Sequence, residues 1–120
     1  MGVVYKNRLI RVEVEESEVP WLKILLQKPY RELLDANDEV KAEILRVLDI
    51  INKEMIAVYN PDKINIISFG TALPHLHWHV IARFRNDSYF PEPMWGEKQR
   101  EGAYKLKNFK SFLKSVKNKL

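Results

Sequence analysis

The chain has 120 residues, 46% of them hydrophobic and 30% charged, with a formal net charge of +4 and no cysteine. That length holds one domain with a sizeable core, and the missing thiols exclude disulfides, thiolate metal sites and cysteine nucleophiles. No apolar run approaches the roughly 20 residues of a membrane span, and residues 1–13 lack the apolar core of a signal peptide, so the expected compartment is the cytoplasm.

In chain order, residues 3–14 alternate polar and apolar through Arg8-Leu9-Ile10-Arg11-Val12-Glu13-Val14, which predicts a hairpin turning at Lys6-Asn7. Glu15 to Glu18 and Pro20 read as a loop. Trp21 to Gln27 reads as a strand ended by Lys28-Pro29, Tyr30 to Leu34 as one helical turn, and Asp35 to Asp38 as a capping region. From Glu39 to about Tyr59 the apolar residues Val40, Ile44, Leu45, Leu48, Ile51, Met55 and Val58 recur at three- and four-residue steps. That spacing predicts a helix lying on a sheet by one face, stopped by Asn60-Pro61-Asp62.

Lys63 to Phe69 predicts a further strand, and Gly70 to Pro74 a tight connection with Pro74 at the first position of the strand that follows. Asn86-Asp87-Ser88 ends that strand. A Pro- and aromatic-rich loop, Tyr89 to Gly96, leads to a second helix near 103–118. Residues 98–120 hold eight Lys/Arg against one acid, leaving −3 for residues 1–97. A basic helix can meet nucleic acid or a membrane surface, but a solvated face is the simpler reading. Strands, helix, strands, helix predicts an α+β domain over residues 1–120, an antiparallel sheet covered by helices on one face.

All three histidines lie in His75-Leu76-His77-Trp78-His79-Val80-Ile81-Ala82, at every second position, with apolar residues between them. On a strand this separates a core face from a face of imidazoles. Three ligands for one metal fit poorly, because the outer two stand about 13 Å apart along a strand and Zn–N bonds are about 2 Å. No resident metal is expected. Nucleophilic catalysis fits better: a neutral imidazole can attack and then leave, while its neighbours donate to phosphate oxygens or protonate a leaving group. Such a nucleophile needs its second nitrogen to donate to a fixed acceptor, often a backbone carbonyl. Arg83 and Arg85 fall on the same face if the strand is regular, and are read as surface arginines. Leu9, Ile10 and Val19 are candidates for an apolar wall against a base.

The order His, apolar, His, apolar, His, apolar, apolar in His75–Ile81 resembles the signature of the histidine-triad (HIT) family. The likeness extends to the hairpin, the central helix, the Asn-bearing strand and a Pro-Met-Trp-Gly loop after the triad, as in small bacterial HIT-like proteins. The resemblance implies a two-layer HIT-like fold, a homodimer and purine nucleotide binding. It also implies hydrolysis or transfer through a nucleotidyl-histidine intermediate, with no cofactor, membrane or nucleic-acid partner. By position, His77 would be the nucleophile, His79 would hold phosphate oxygens, and His75 would orient His77 and assist the leaving group. Asn65, Thr71 and Trp95 would contact substrate. Two departures stand out: the further upstream histidine of many HIT enzymes is absent, Trp21-Leu22 and Pro29-Tyr30-Arg31 standing instead, and Ala72 replaces a polar residue. They keep open a second reading, a nucleotide-binding module with little turnover.

Overall fold

The computed structural model describes residues 2–120. Its elements follow as β1 (Val3–Lys6), β2 (Ile10–Val14), β3 (Trp21–Leu26), α1 (Asp38–Tyr59), β4 (Lys63–Ile67), β5 (His77–Arg83) and α2 (Phe109–Lys119), with a 3-10 turn at Leu33–Asp35. The strands make one antiparallel sheet in the order β1-β2-β3-β5-β4. The histidine strand is therefore interior, flanked by β3 and β4, and the expected α+β class holds.

Each local signal has a physical partner. Between β1 and β2, Asn7 Oδ1 accepts from the backbone N–H groups of Leu9 (2.8 Å) and Ile10 (2.9 Å), closing a turn with its own side chain. Asn37 caps α1 by accepting from Val40 N–H at 2.9 Å, and Asp38 and Glu39 suit the positive end of the helix dipole. Asn60, left-handed at φ 44°, closes the helix. The buried stripe of α1 is Val40, Ile44, Val47, Ile51 and Met55.

Register assigns the two faces of the sheet. Val12 pairs with Ile24 and Ile24 with Trp78, while Leu22 pairs with Val80 and Val80 with Ile66. Paired residues share a face, so these side chains form the α1 side, where Val12, Leu22, Ile24 and Val80 are fully buried. Ile10 belongs to this side too, opposite Leu26. Ile10 and Val19 are core residues, not a wall against a ligand. Leu9 lines a separate cavity with Gln27, Tyr30 and Asn37.

The second helix departs from expectation. It starts at Phe109 rather than near 103. Ala103 and Tyr104 instead donate their N–H groups to the Asn86 carbonyl (2.8 and 3.3 Å), and Tyr104 stacks on Phe84 at 3.8 Å between ring centroids. Asn108 then turns left-handed at φ 57° into the helix. Once formed, α2 packs on α1 and β1. Phe112 and Val116 are buried, and the α1 carboxylate of Glu54 accepts from Ser115 Oγ (2.5 Å) and Lys119 Nζ. Those two donors hold the Glu54 carboxyl below its ordinary range.

Candidate active site

The face opposite α1 carries the histidines, but as two rather than three strand residues. β5 begins at His77, so Pro74 and His75 belong to the preceding connection. That connection is tight: Gly70 has φ +65°, a left-handed backbone that suits glycine, and His75 N–H donates to the Leu73 carbonyl at 2.8 Å. The His75 ring is exposed. What reaches His77 is the His75 backbone: the His77 Nδ1 lies 2.7 Å from the His75 carbonyl oxygen. A carbonyl only accepts, so Nδ1 carries the proton and Nε2 carries the lone pair. Ser68 Oγ donates to the His77 carbonyl at 2.6 Å, fixing the strand entrance from β4.

His79 is arranged the other way round. Trp21, on β3, donates its indole N–H to His79 Nδ1 at 3.0 Å. Both residues are only 7% exposed. Trp95, from the loop after β5, lies edge-on to His79 (4.9 Å between centroids), to Trp21 (5.1 Å) and to Phe69 (5.0 Å). Burial, then the proximity of His77 and of Lys23, pushes the His79 pKa down to about 4. Lys23 is the cross-strand partner of His79, and its ammonium lies 3.9 Å from Glu15. At neutral pH His79 is an uncharged imidazole. The His77 and His79 rings lie 5.3 Å apart.

Asn65 stands on the same face, opposite Ile81 and one pleat beyond the Ile67–His79 pair. Arg83 Nη1 donates to Asn65 Oδ1 at 3.0 Å. The amide oxygen is thereby occupied, and Nδ2 remains as the donor for a ligand. Arg83 itself is not a surface residue: it is 2% exposed and makes a double contact with fully buried Asp87, Nε to Oδ2 at 3.0 Å and Nη2 to Oδ1 at 3.1 Å. Asp87 also accepts from the N–H groups of Phe84, Tyr89 and Phe90. These donors hold its carboxyl below the ordinary range despite burial. Arg85 is on the surface beside Asp62.

The structure thus groups His77, His79, Asn65 and Trp95 on one face, with the His75 carbonyl behind His77. Thr71 is exposed on the connection from β4. Three contributors went unnoticed in the sequence: Trp21 as a partner of His79, Lys23 beside it, and the Arg83–Asp87 pair behind Asn65. For the first two a signal existed, since strand alternation places Trp21, Lys23 and Leu25 on one face of β3. Which strand that face would border was not written locally.

A model of the HIT domain matches residues 3–86, and the chain belongs to the HIT, or histidine triad, family. Among solved structures it is similar to a histidine triad protein from Bradyrhizobium japonicum, with 25% identity over 98% of this chain and 88% of that one and a TM-score of 0.79. A histidine triad protein from Sinorhizobium meliloti is similar at 22% identity over the same shares, with a TM-score of 0.78. The diadenosine triphosphate hydrolase of Plasmodium falciparum shares the fold at 14% identity, over 98% of this chain and 73% of that one, with a TM-score of 0.63. No curated protein matches the chain.

Proposed function

We propose that the protein hydrolyses or transfers the nucleotidyl group of purine nucleotides carrying a phosphoanhydride or phosphoramidate bond, through a nucleotidyl-His77 intermediate. The observation that carries this reading is the 2.7 Å bond from His77 Nδ1–H to the His75 carbonyl. It keeps the Nε2 lone pair available without any acidic partner. In the first step Nε2 forms a bond to the α-phosphorus as the bond from phosphorus to the leaving group breaks. The His75 carbonyl then faces the Nδ1–H of a cationic ring and stabilises it. His79 Nε2–H and Asn65 Nδ2 supply donors for the phosphoryl oxygens, in place of bulk water. The exposed His75 imidazole delivers the proton to the departing oxygen or nitrogen. Water then attacks phosphorus as the bond from phosphorus to His77 Nε2 breaks. Its proton passes to the His75 imidazole that gave one to the leaving group, and neutral His77 is regenerated. Trp95 and Thr71 border the substrate.

The protein acts as a cytoplasmic homodimer in this account. β4 is an edge strand with unpaired backbone groups. On β4 Ile66 is 47% exposed, and on α1 Leu45, 68% exposed, lines a cavity with Leu33, Ile44, Leu48 and Trp78.

The test is product analysis with adenosine 5′-phosphoramidate and, separately, diadenosine triphosphate. Release of AMP by the wild type and its loss in His77→Ala, with AMP still bound by both, is the expected result. The absent upstream histidine and Ala72 favour a binding module with little turnover. AMP binding without cleavage of either compound would establish that reading instead.

A further inference from the structure

Trp21 makes a contact that the proposed reaction has not yet used. An indole has one N–H and no in-plane lone pair, so it can only donate. At 3.0 Å from His79 Nδ1, it requires a lone pair on that nitrogen. A neutral imidazole has one N–H, which must then sit on Nε2. A fully charged imidazolium, with N–H groups at both nitrogens, would turn the contact into two donors facing each other. With 7% exposure on each side, solvent is poorly placed to relieve that conflict.

Trp21 is well held for such a task. It pairs with Ile81 in the β3–β5 register and is clamped edge-on by Trp95. The other groups around His79 reinforce the same state. Lys23, opposite on β3, and His77, on its own strand, both oppose a positive charge there. Glu15 is drawn toward Lys23. From β4 the register partner is apolar Ile67, and from the loop after β5 the contact is Trp95.

We propose that Trp21 is a positioning residue for the nucleotidyl chemistry: its indole N–H locks the proton of His79 on Nε2, the ring nitrogen left to donate to a phosphoryl oxygen. This rests on the reading of His79 as a phosphate-holding group, and it adds the residue that fixes its tautomer. Trp21 performs from β3 what a backbone carbonyl performs for His77, with the opposite sense. One device leaves a lone pair and the other leaves a donor, at the same atom of two adjacent imidazoles.

The assignment is tested by long-range proton–nitrogen correlation spectra of protein with nitrogen-15-labelled histidine, recorded from pH 5 to pH 8. The His79 signals are identified by their loss in His79→Asn. The expected wild-type spectrum shows His79 neutral, protonated on Nε2, throughout that range. In Trp21→Phe, which keeps an aromatic ring but removes the N–H donor together with the pyrrole part of the indole, His79 begins to titrate within the range and its two tautomers mix. Cleavage of adenosine 5′-phosphoramidate falls by about 10- to 100-fold in kcat/KM, the size of loss that follows deleting the outer hydrogen-bond partner of a metal-bound imidazole. A wild-type His79 that carries its proton on Nδ1, or is charged at pH 6, would overturn the proposal, and this arm holds even if Trp21→Phe fails to fold. An unchanged tautomer and titration in a folded Trp21→Phe would overturn it equally. If the wild type cleaves no nucleotide, the reaction assigned above fails, whereas the nitrogen spectrum still decides what Trp21 does to His79.

Discussion

His77 and His79 stand two residues apart on one face of one strand, yet their surroundings make them different chemical groups. His77 sits at the strand entrance, half exposed, and donates its Nδ1–H as a hydrogen bond to the carbonyl of His75. His79 sits one pleat further in, buried under Trp95, and accepts a hydrogen bond at Nδ1 from the Trp21 indole N–H. Each leaves Nε2 unpaired by the protein, with a lone pair in the first case and a proton in the second. The difference shows that a row of like residues need not be a row of like functions. Backbone fixes one ring and a side chain from a strand 58 residues away fixes the other.

The comparison is broken most severely at His77. His77→Ala is expected to lower turnover of adenosine 5′-phosphoramidate by at least about 10⁴-fold, because the nucleophile of the proposed reaction is gone. AMP affinity, measured by titration calorimetry, should change little.

Next in size is Asp87, which anchors Arg83 and the start of the loop that lays Trp95 over His79 while leaving His77 open. Asp87→Ala strands a buried guanidinium and should cost about 3–5 kcal/mol in urea unfolding. Its active fraction at low denaturant should also bind AMP more weakly, since Asn65 loses its orienting partner.

His79→Ala removes a donor and not the nucleophile. A loss of about 10²–10³-fold in kcat is expected, the range for deleting one donor to a developing oxyanion. His79→Asn, which retains an N–H group, should lose less. A result matching His77→Ala would erase the distinction between the two rings.

The smallest effect is on stability against pH. The fold holds the His79 pKa down at about 4, whereas an unfolded histidine titrates near 6.5. The neutral ring therefore contributes its full stability above about pH 6.5, and that contribution declines as pH falls toward about 4. Urea midpoints at pH 7 and pH 5 should show the decline in the wild type. They should show less of it in His79→Asn, which cannot charge.

Much of this arrangement is legible along the chain because it is periodic. Alternation of histidine and apolar residues from Leu76 to Val80 separates the core face from the imidazole face, and three- and four-residue spacing marks α1. What escapes is whatever depends on contacts distant in sequence. His75 looks like a third strand residue, but the Gly70–Pro74 connection ends only at His77, so His75 works on its neighbour through a carbonyl. Arg83 looks like a surface cation until Asp87, just past the strand end, turns back to pair with it. Residues 103–108 look helical, yet Tyr104 gains more by stacking on Phe84, and that extended segment delays α2 to Phe109. Trp21 looks like core, and only the β3–β5 register brings its indole to His79.

The most direct test of the covalent role of His77 is a single-turnover experiment. Excess protein is mixed with adenosine 5′-phosphoramidate or diadenosine triphosphate, quenched without acid and weighed intact by mass spectrometry. A transient adduct of one adenylyl group is expected on the wild type and on His79→Asn, and none on His77→Ala. An adduct that survives in His77→Ala, or AMP released by the wild type with no adduct at any time, would contradict it.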